Sequence, residues 1–266
     1  DPVLGTVNFD FGTIAVGAPD HALDETDRLE SSISSAGAVF VYTLTNQGWI
    51  QTQKLVSKHR RIGDALGNSV AICGDNIIAG SWGGDHDAKY GNRMEAAGAA
   101  YIFERKGVTW TLTQKLVAED RTPHDEFGFS VGISGDYAIV SAMKQDTDSL
   151  DNRIPDGGAI YIFYQDKNGR WSQTGKLAAL DRSQLDNLGH AVAISGCDII
   201  GATIIGQEDG KDANALTSAG SAYVFSAAEC RNVAPCYQPK VTPGIKTPKD
   251  KTDQPKSTAL DTKPKI

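Results

Sequence analysis

Residues 66–81 read LGNSVAICGDNIIAGS, and 61 positions further on residues 127–142 read FGFSVGISGDYAIVSA. Each stretch has Gly at its second position, then alternating apolar residues, a Gly-Asp pair and a second apolar run. Gly74-Asp75 and Gly135-Asp136 suit tight hairpin turns, so each stretch predicts two antiparallel strands. GAAYIF (98–103) and WTLTQKL (110–116) follow the first stretch; GAIYIF (158–163) and WSQTGKL (171–177) follow the second. In residues 98–103 both alternating faces are apolar. A sheet with one wet side would carry polar residues on one face, so this sheet must be covered on both.

The same register runs through the chain. Trp49, Trp110 and Trp171 are 61 apart, as are Gly67, Gly128 and Gly189, while Gly37, Gly98, Gly158 and Gly220 follow at 61, 60 and 62. A unit of about 61 residues therefore occurs four times. No apolar period of 3.6 is sustained, so helices should be few. Four antiparallel strands covered on both faces and repeated in tandem make a β-propeller blade. The expected fold is all-β: a propeller of about four visible blades, units roughly 4–60, 61–121, 122–182 and 183–237, with an extended tail over 238–266. The fourth unit runs through Ala222-Tyr223-Val224-Phe225 but lacks the Trp-led strand, so fifteen strands are recognisable where sixteen are needed. An unpaired edge there would template another strand. Residues 226–241, the tail of another copy, or blades of a longer parent are the candidates to cover it.

Leu66-Gly67-Asn68-Ser69-Val70-Ala71, Phe127-Gly128-Phe129-Ser130-Val131 and Val16-Gly17-Ala18-Pro19 resemble the FG-GAP repeats of integrin-type β-propellers, in their extracellular bacterial and algal form. The resemblance covers residues 4–225 and implies a secreted, extracellular or cell-surface protein in adhesive, structural or binding work. The family usually closes with seven blades, against four here. Integrin-type propellers also hold Ca²⁺ in loops of D-x-D-x-D-G pattern. Asp146, Asp148 and Asp151 come closest to it, with the third acid one residue late and no Gly. The other loops carry Asp20, Asp24 and Asp27; Asp85 and Asp87; and Glu208, Asp209 and Asp212. Closely spaced carboxylates on a bending loop suit Ca²⁺, and they equally suit solvated turns.

Asp64, Asp125 and Asp186 recur at 61-residue spacing before each Gly, accompanied by Asp120-Arg121 and Asp181-Arg182, with His59-Arg60 in the corresponding place. A register shared by every inter-blade connection fits a structural role, with Asp fixing a turn and Arg pairing with a carboxylate to tie blades together. Catalysis needs one asymmetric constellation, and H-E-x-x-H, G-x-S-x-G and P-loop patterns are all absent. The expectation is a non-enzyme, with a propeller glycosidase or lyase as the residual reading. Trp82 beside Gly83-Gly84 suits either a sugar-stacking platform or packing between blades.

A net charge of −7 makes the chain a poor nucleic-acid binder, and no apolar run is long enough to span a bilayer. Asp1 at the start suits a processed secretory protein or a trimmed one. Cys230 and Cys236 lie close enough in AECRNVAPC to form a disulfide, whereas Cys73 and Cys197 sit in strand-like segments and read as buried thiols. From Gln238 onward seven Lys and three Asp make the tail +4, leaving −11 for residues 1–237. Such a tail cannot offset its ordering entropy by burial. It suits a linker, head-to-tail contact with an acidic neighbour, or an O-glycosylated stalk at Thr242, Thr247 and Thr258. The composite expectation is a non-catalytic extracellular structural or adhesive module that self-associates with other copies through residues 226–266. The alternative is a propeller that binds glycans or cell-surface proteins, with Ca²⁺ in its loops.

Overall fold

Alternating apolar strands separated by Gly-Asp turns can satisfy their backbone groups only by pairing with their chain neighbours, and they do so throughout. In a computed structural model, which describes residues 5–10, 12–24, 26, 32–148, 150, 152–204 and 220–226, fifteen strands form four antiparallel sheets. Blade 1 holds β1 (Val7–Asp10), β2 (Thr13–Ala18), β3 (Ala38–Thr45) and β4 (Gly48–Leu55). Blade 2 holds β5 (Val70–Cys73), β6 (Asn76–Ser81), β7 (Ala99–Lys106) and β8 (Thr109–Leu116). Blade 3 holds β9 (Phe127–Ser134), β10 (Tyr137–Ala142), β11 (Ala159–Gln165) and β12 (Trp171–Leu177). Blade 4 has, among the described residues, three strands, β13 (Ala191–Ser195), β14 (Asp198–Thr203) and β15 (Ser221–Ser226). Spatial order follows chain order in every sheet. No helix occurs among the described residues. The arrangement is that of propeller blades, and among the described residues the fourth has three strands.

Apolar clusters sit at the three junctions between successive blades. Ala15, Val39 and Val41 of blade 1 meet Ile77, Tyr101, Phe103 and Trp110 of blade 2. Ile78, Ala100 and Ile102 of blade 2 meet Val131, Tyr161, Phe163 and Trp171 of blade 3. Ile139, Ile160 and Ile162 of blade 3 meet Ile199, with Tyr223 and Phe225 packed alongside. In each of the first two junctions the earlier blade offers an aliphatic face and the later one an aromatic face. The two apolar faces of residues 98–103 are therefore both covered, as the sequence requires.

Backbone contact closes each junction. Gly37 bridges Leu66, Gly98 bridges Phe127 and Gly158 bridges Leu188, all in parallel. The N–H groups of Leu66, Phe127 and Leu188 donate to the carbonyls of Ala36, Ala97 and Gly157 in the preceding blade. Side chains would hold these segments apart. A Cβ on Gly17 would stand 1.8 Å from the Gly67 carbonyl oxygen, and one on Gly80 would stand 1.9 Å from that of Gly128. Small hooks reinforce the seam on the inner strands: Val70 N–H donates to Thr6 Oγ1, Val131 N–H to Ser69 Oγ and Val192 N–H to Ser130 Oγ.

One sequence expectation is corrected. Cys73 and Cys197 are both disulfide-bonded rather than free thiols, and Cys197 is only half-buried because it occupies the turn between β13 and β14. Strand periodicity marked the two positions as interior and carries no information about what a turn-end sulfur can reach. Cys230 and Cys236 lie outside the described residues.

The seam gives a direct prediction. Gly80→Ala must push backbone against backbone and should cost about 3 kcal/mol in urea unfolding. Gly107→Asn, at a turn whose Cβ position is open and whose φ is +67°, should change stability by less than about 1 kcal/mol. Equal effects at the two positions would contradict the close-approach argument.

Candidate functional site

The long loops between second and third strands hold most of the candidate carboxylates. Asp85 receives the Arg93 guanidinium at 2.9 Å and the Ala96 N–H. Asp146 repeats the pattern with Arg153 at 3.0 Å and the Asp156 N–H. Asp87 accepts from the N–H groups of Lys89 and Gly91 and from Asn92 Nδ2. Asp148 likewise accepts from Leu150 and Asn152 N–H groups and from Asn152 Nδ2. These donors hold the Asp87 and Asp148 carboxyls below the usual carboxylate range: a backbone N–H leads at Asp87, the Asn152 side chain at Asp148. Each acid is thus the acceptor centre of its own loop. A Ca²⁺ ion at Asp146 and Asp148 would have to displace an arginine and several amides, so these two residues as placed do not fit the ion. Asp151, Asp27, Glu208, Asp209 and Asp212 lie outside the described residues. No group of three metal-binding side chains occurs among the described ones.

The repeated Asp–Arg positions are structural anchors. Asp64, Asp125 and Asp186 accept the backbone N–H groups of Arg61, Thr122 and Ser183. The residues that follow, Ala65, Glu126 and Asn187, sit at φ of 55°, 56° and 55°, and the Asp turns hold this left-handed step in place. Burial pushes Asp64 and Asp125 up to about 6, against the lowering effect of those hydrogen bonds. Arg121 and Arg182 do tie blades together, but through carbonyls rather than the expected carboxylates. Arg121 donates to the Asp85 and Asn92 carbonyls, and Arg182 to those of Gln145, Asp146 and Ile154. Each arginine reaches back from a connection to grip the long loop of the preceding blade.

Outside the third strands, lysines of the repeated Lys-Leu pair lie over aromatic rings: Lys54 over Phe40 at 6.0 Å, Lys115 over Tyr101 at 5.6 Å and Lys176 over Tyr161 at 5.4 Å. Lys176 also bonds Asp120 at 2.6 Å. Burial pulls Lys115 down to about 8. Because this set recurs from blade to blade it fixes the outer strand and marks no single reactive centre. Trp82 is half-buried, and its neighbour Gly83 packs on the Gly63 carbonyl, so this segment is part of an inter-blade contact.

The asymmetric feature lies at blade 4. In blades 2 and 3 the fourth strand inserts a Trp beside the last Leu of the preceding blade: Trp110 with Leu55, and Trp171 with Leu116 and Ala118. A glutamine clamps each strand in place. Gln53 donates through Nε2 to the Trp110 carbonyl at 2.7 Å and accepts its N–H at 2.8 Å, and Gln114 does the same for Trp171. At the third junction Leu177 and Ala179 are present, Gly175 replaces the glutamine, and no described strand follows β15. A groove of about 610 Å³ remains there, lined by Lys176, Leu177, Ala179, Leu180, Tyr223 and Phe225. The sequence reading recognised the fifteen described strands and expected a sixteenth after β15, in residues outside the described ones. It missed the glutamine clamps, although their signal was visible in the contrast of Gln53 and Gln114 with Gly175.

The FG-GAP repeat family model matches residues 49–103, 110–163 and 171–225, together more than half of the chain, and the chain belongs to that family. Each match runs from a fourth strand across the seam to the next third strand, so the family unit contains the inter-blade junction itself. No curated protein matches the chain. Repeats of this family typically serve extracellular adhesion or binding and are typically non-catalytic.

The buried acids give a pH signature. A folded pKa above the unfolded value of about 3.9 means stability that is full below pH 4 and lost as pH rises through about 6. Asp64→Asn keeps an acceptor for the Arg61 N–H and removes the charge. Its urea stability relative to wild type should therefore improve by about 2 kcal/mol between pH 4 and pH 7. Parallel pH profiles for the two proteins would refute the assignment.

Proposed function

We propose that the chain works outside the cell as a non-catalytic structural or adhesive module, and that copies associate through the C-terminal extension. The observation that carries this reading is the outer edge of β15, which pairs with no described strand beyond β14, above the apolar groove at Leu177, Ala179, Tyr223 and Phe225. An added antiparallel strand would gain main-chain hydrogen bonds along β15 and a pocket for one large side chain, the usual terms of β-strand addition. With Gly175 where the clamp would be, the guest strand is held without the bidentate amide grip of the resident ones, which suits exchange between copies. The tail supplies extended, cationic sequence, +4 against −11 for residues 1–237, so its approach to a second copy is favoured electrostatically.

An extracellular setting is supported by the disulfides of Cys73 and Cys197, since such bonds persist in oxidising compartments. No helix among the described residues is long and apolar enough to cross a membrane. Against catalysis stands the repetition of every buried titratable set described above.

Removal of residues 238–266 tests the reading. Full-length protein should form assemblies visible by negative-stain electron microscopy, and the shortened chain should lose them while keeping its β-rich circular dichroism. Unchanged assembly after the deletion would overturn the tail's part in it.

A further inference from the structure

Blade 3 carries a constellation that blade 2 lacks. Lys176 Nζ, on β12, donates to Asp120 Oδ2 at 2.6 Å and to Thr147 Oγ1 at 3.1 Å, and its side chain is only 8% exposed. Tyr161 Oη donates to the other carboxylate oxygen, Asp120 Oδ1, at 2.8 Å. Gln145 Nε2 in turn donates to Tyr161 Oη at 2.9 Å and to Asp125 Oδ2 at 3.1 Å. The phenol is thus held from behind, with its own proton aimed at Asp120. Burial, followed by the Asp120 charge, pushes the Tyr161 pKa upward and keeps that proton in place.

A lysine over an aromatic ring recurs, but these partners do not. In blade 2 Lys115 lies over Tyr101, with His59 in the place of Asp120. Gly84 stands in the place of Gln145, since their carbonyls accept the equivalent N–H groups of Gly98 and Gly158. Lys144 meets Glu126 at 2.5 Å, yet its side chain is 39% exposed and its ammonium stays hydrated. Lys176 combines a nearly dry amine with a carboxyl whose second oxygen already faces a phenol. Removal from water disfavours the charged form of such a pair, so transfer of one proton within it, to give amine and carboxylic acid, costs less than in solution. An amine hydrogen-bonded to one carboxyl oxygen lies about 3 to 3.5 Å from the carboxyl carbon, a near-attack distance.

We propose that Lys176 and Asp120 condense into an intramolecular amide. One proton passes from Lys176 Nζ to Asp120 Oδ2, and the nitrogen lone pair attacks Cγ. Tyr161 stabilises the oxyanion that forms at Oδ1. A second proton moves from nitrogen to Oδ2, the Cγ–Oδ2 bond breaks, and water leaves by the open side of Asp120, whose side chain is 37% exposed. Ammonium and carboxylate thereby become one amide and one water, with no outside acid, base or cofactor consumed. The bond joins residues 56 positions apart, tying the connection that enters blade 3 to the outermost strand of that blade. It is a single self-limited step without turnover, independent of how copies associate and compatible with a non-catalytic role.

Mass spectrometry of the full chain, reduced and denatured, tests the bond. Wild type should be lighter than its calculated mass by about 18 Da, one water. Trypsin should release residues 116–121 joined to residues 171–182, with cleavage after Lys176 blocked. Lys176→Arg and Asp120→Ala should each show their full calculated mass while circular dichroism stays β-rich, and Lys144→Arg should keep the water loss. Tyr161→Phe retains the ring and loses the donor, so the bond should form at least about tenfold more slowly. Wild type at its full calculated mass after prolonged incubation would overturn the proposal, as would a water loss that persists in Lys176→Arg. Bond formation at the wild-type rate in Tyr161→Phe would overturn the part given to the phenol.

Discussion

A four-stranded sheet apolar on both faces cannot stand alone in water, and the junction that relieves this constraint organises the molecule. Its centre is bare backbone. Gly17 on Gly67 and Gly80 on Gly128 let one blade's second strand touch the entry loop of the next, so that the parallel bridges from Gly37, Gly98 and Gly158 form. Only at that separation do aromatic side chains of one sheet reach the aliphatic ones of its neighbour. The third junction uses Ser141 facing Gly189, where a Cβ on the glycine would stand 2.5 Å from the serine Cβ. It shows how little extra volume the geometry tolerates.

The polar residues around the seam follow from the same geometry. The turns that lead into the left-handed step at Ala65, Glu126 and Asn187 leave the Arg61, Thr122 and Ser183 amides in need of acceptors, and Asp64, Asp125 and Asp186 supply them even though burial disfavours their charge. Arg121 and Arg182 satisfy carbonyls of loops too long to pair with themselves. Buried ionisable groups with shifted protonation often mark catalytic centres. Here they recur at each junction with the same partners, which is the signature of scaffold chemistry repeated with the fold.

The repeat length and the fifteen described strands were legible because glycine and tryptophan spacing records backbone geometry directly. The turn role of Asp64, Asp125 and Asp186 was legible for the same reason. The partners of Arg121 and Arg182 were not, since a carbonyl acceptor leaves no mark in the sequence. Nor was the disulfide state of Cys73 and Cys197. The apparent calcium pattern at Asp146 and Asp148 shows the converse limit: carboxylates at alternate positions look alike whether they face a cation or the amides of their own loop, and only the placement of Arg153 and Asn152 separates the two.

The ends of the series differ from its middle for a reason that composition alone conceals. Strands β1 and β13 to β15 carry the same alternation of apolar residues as β5 to β12, so pattern reading assigns every blade the same burial. Coverage, however, is a property of neighbours: stability in a repeat array is a sum of unit and interface terms, and terminal units lack one interface each. Terminal repeats that finish an array carry polar outer faces. Blade 1 presents Phe9, Tyr42 and Trp49, and blade 4 presents Ile200 and Val224, with no such polar substitution. Those are interior faces of the repeat. Composition assigns such a face its burial only through the neighbour that covers it.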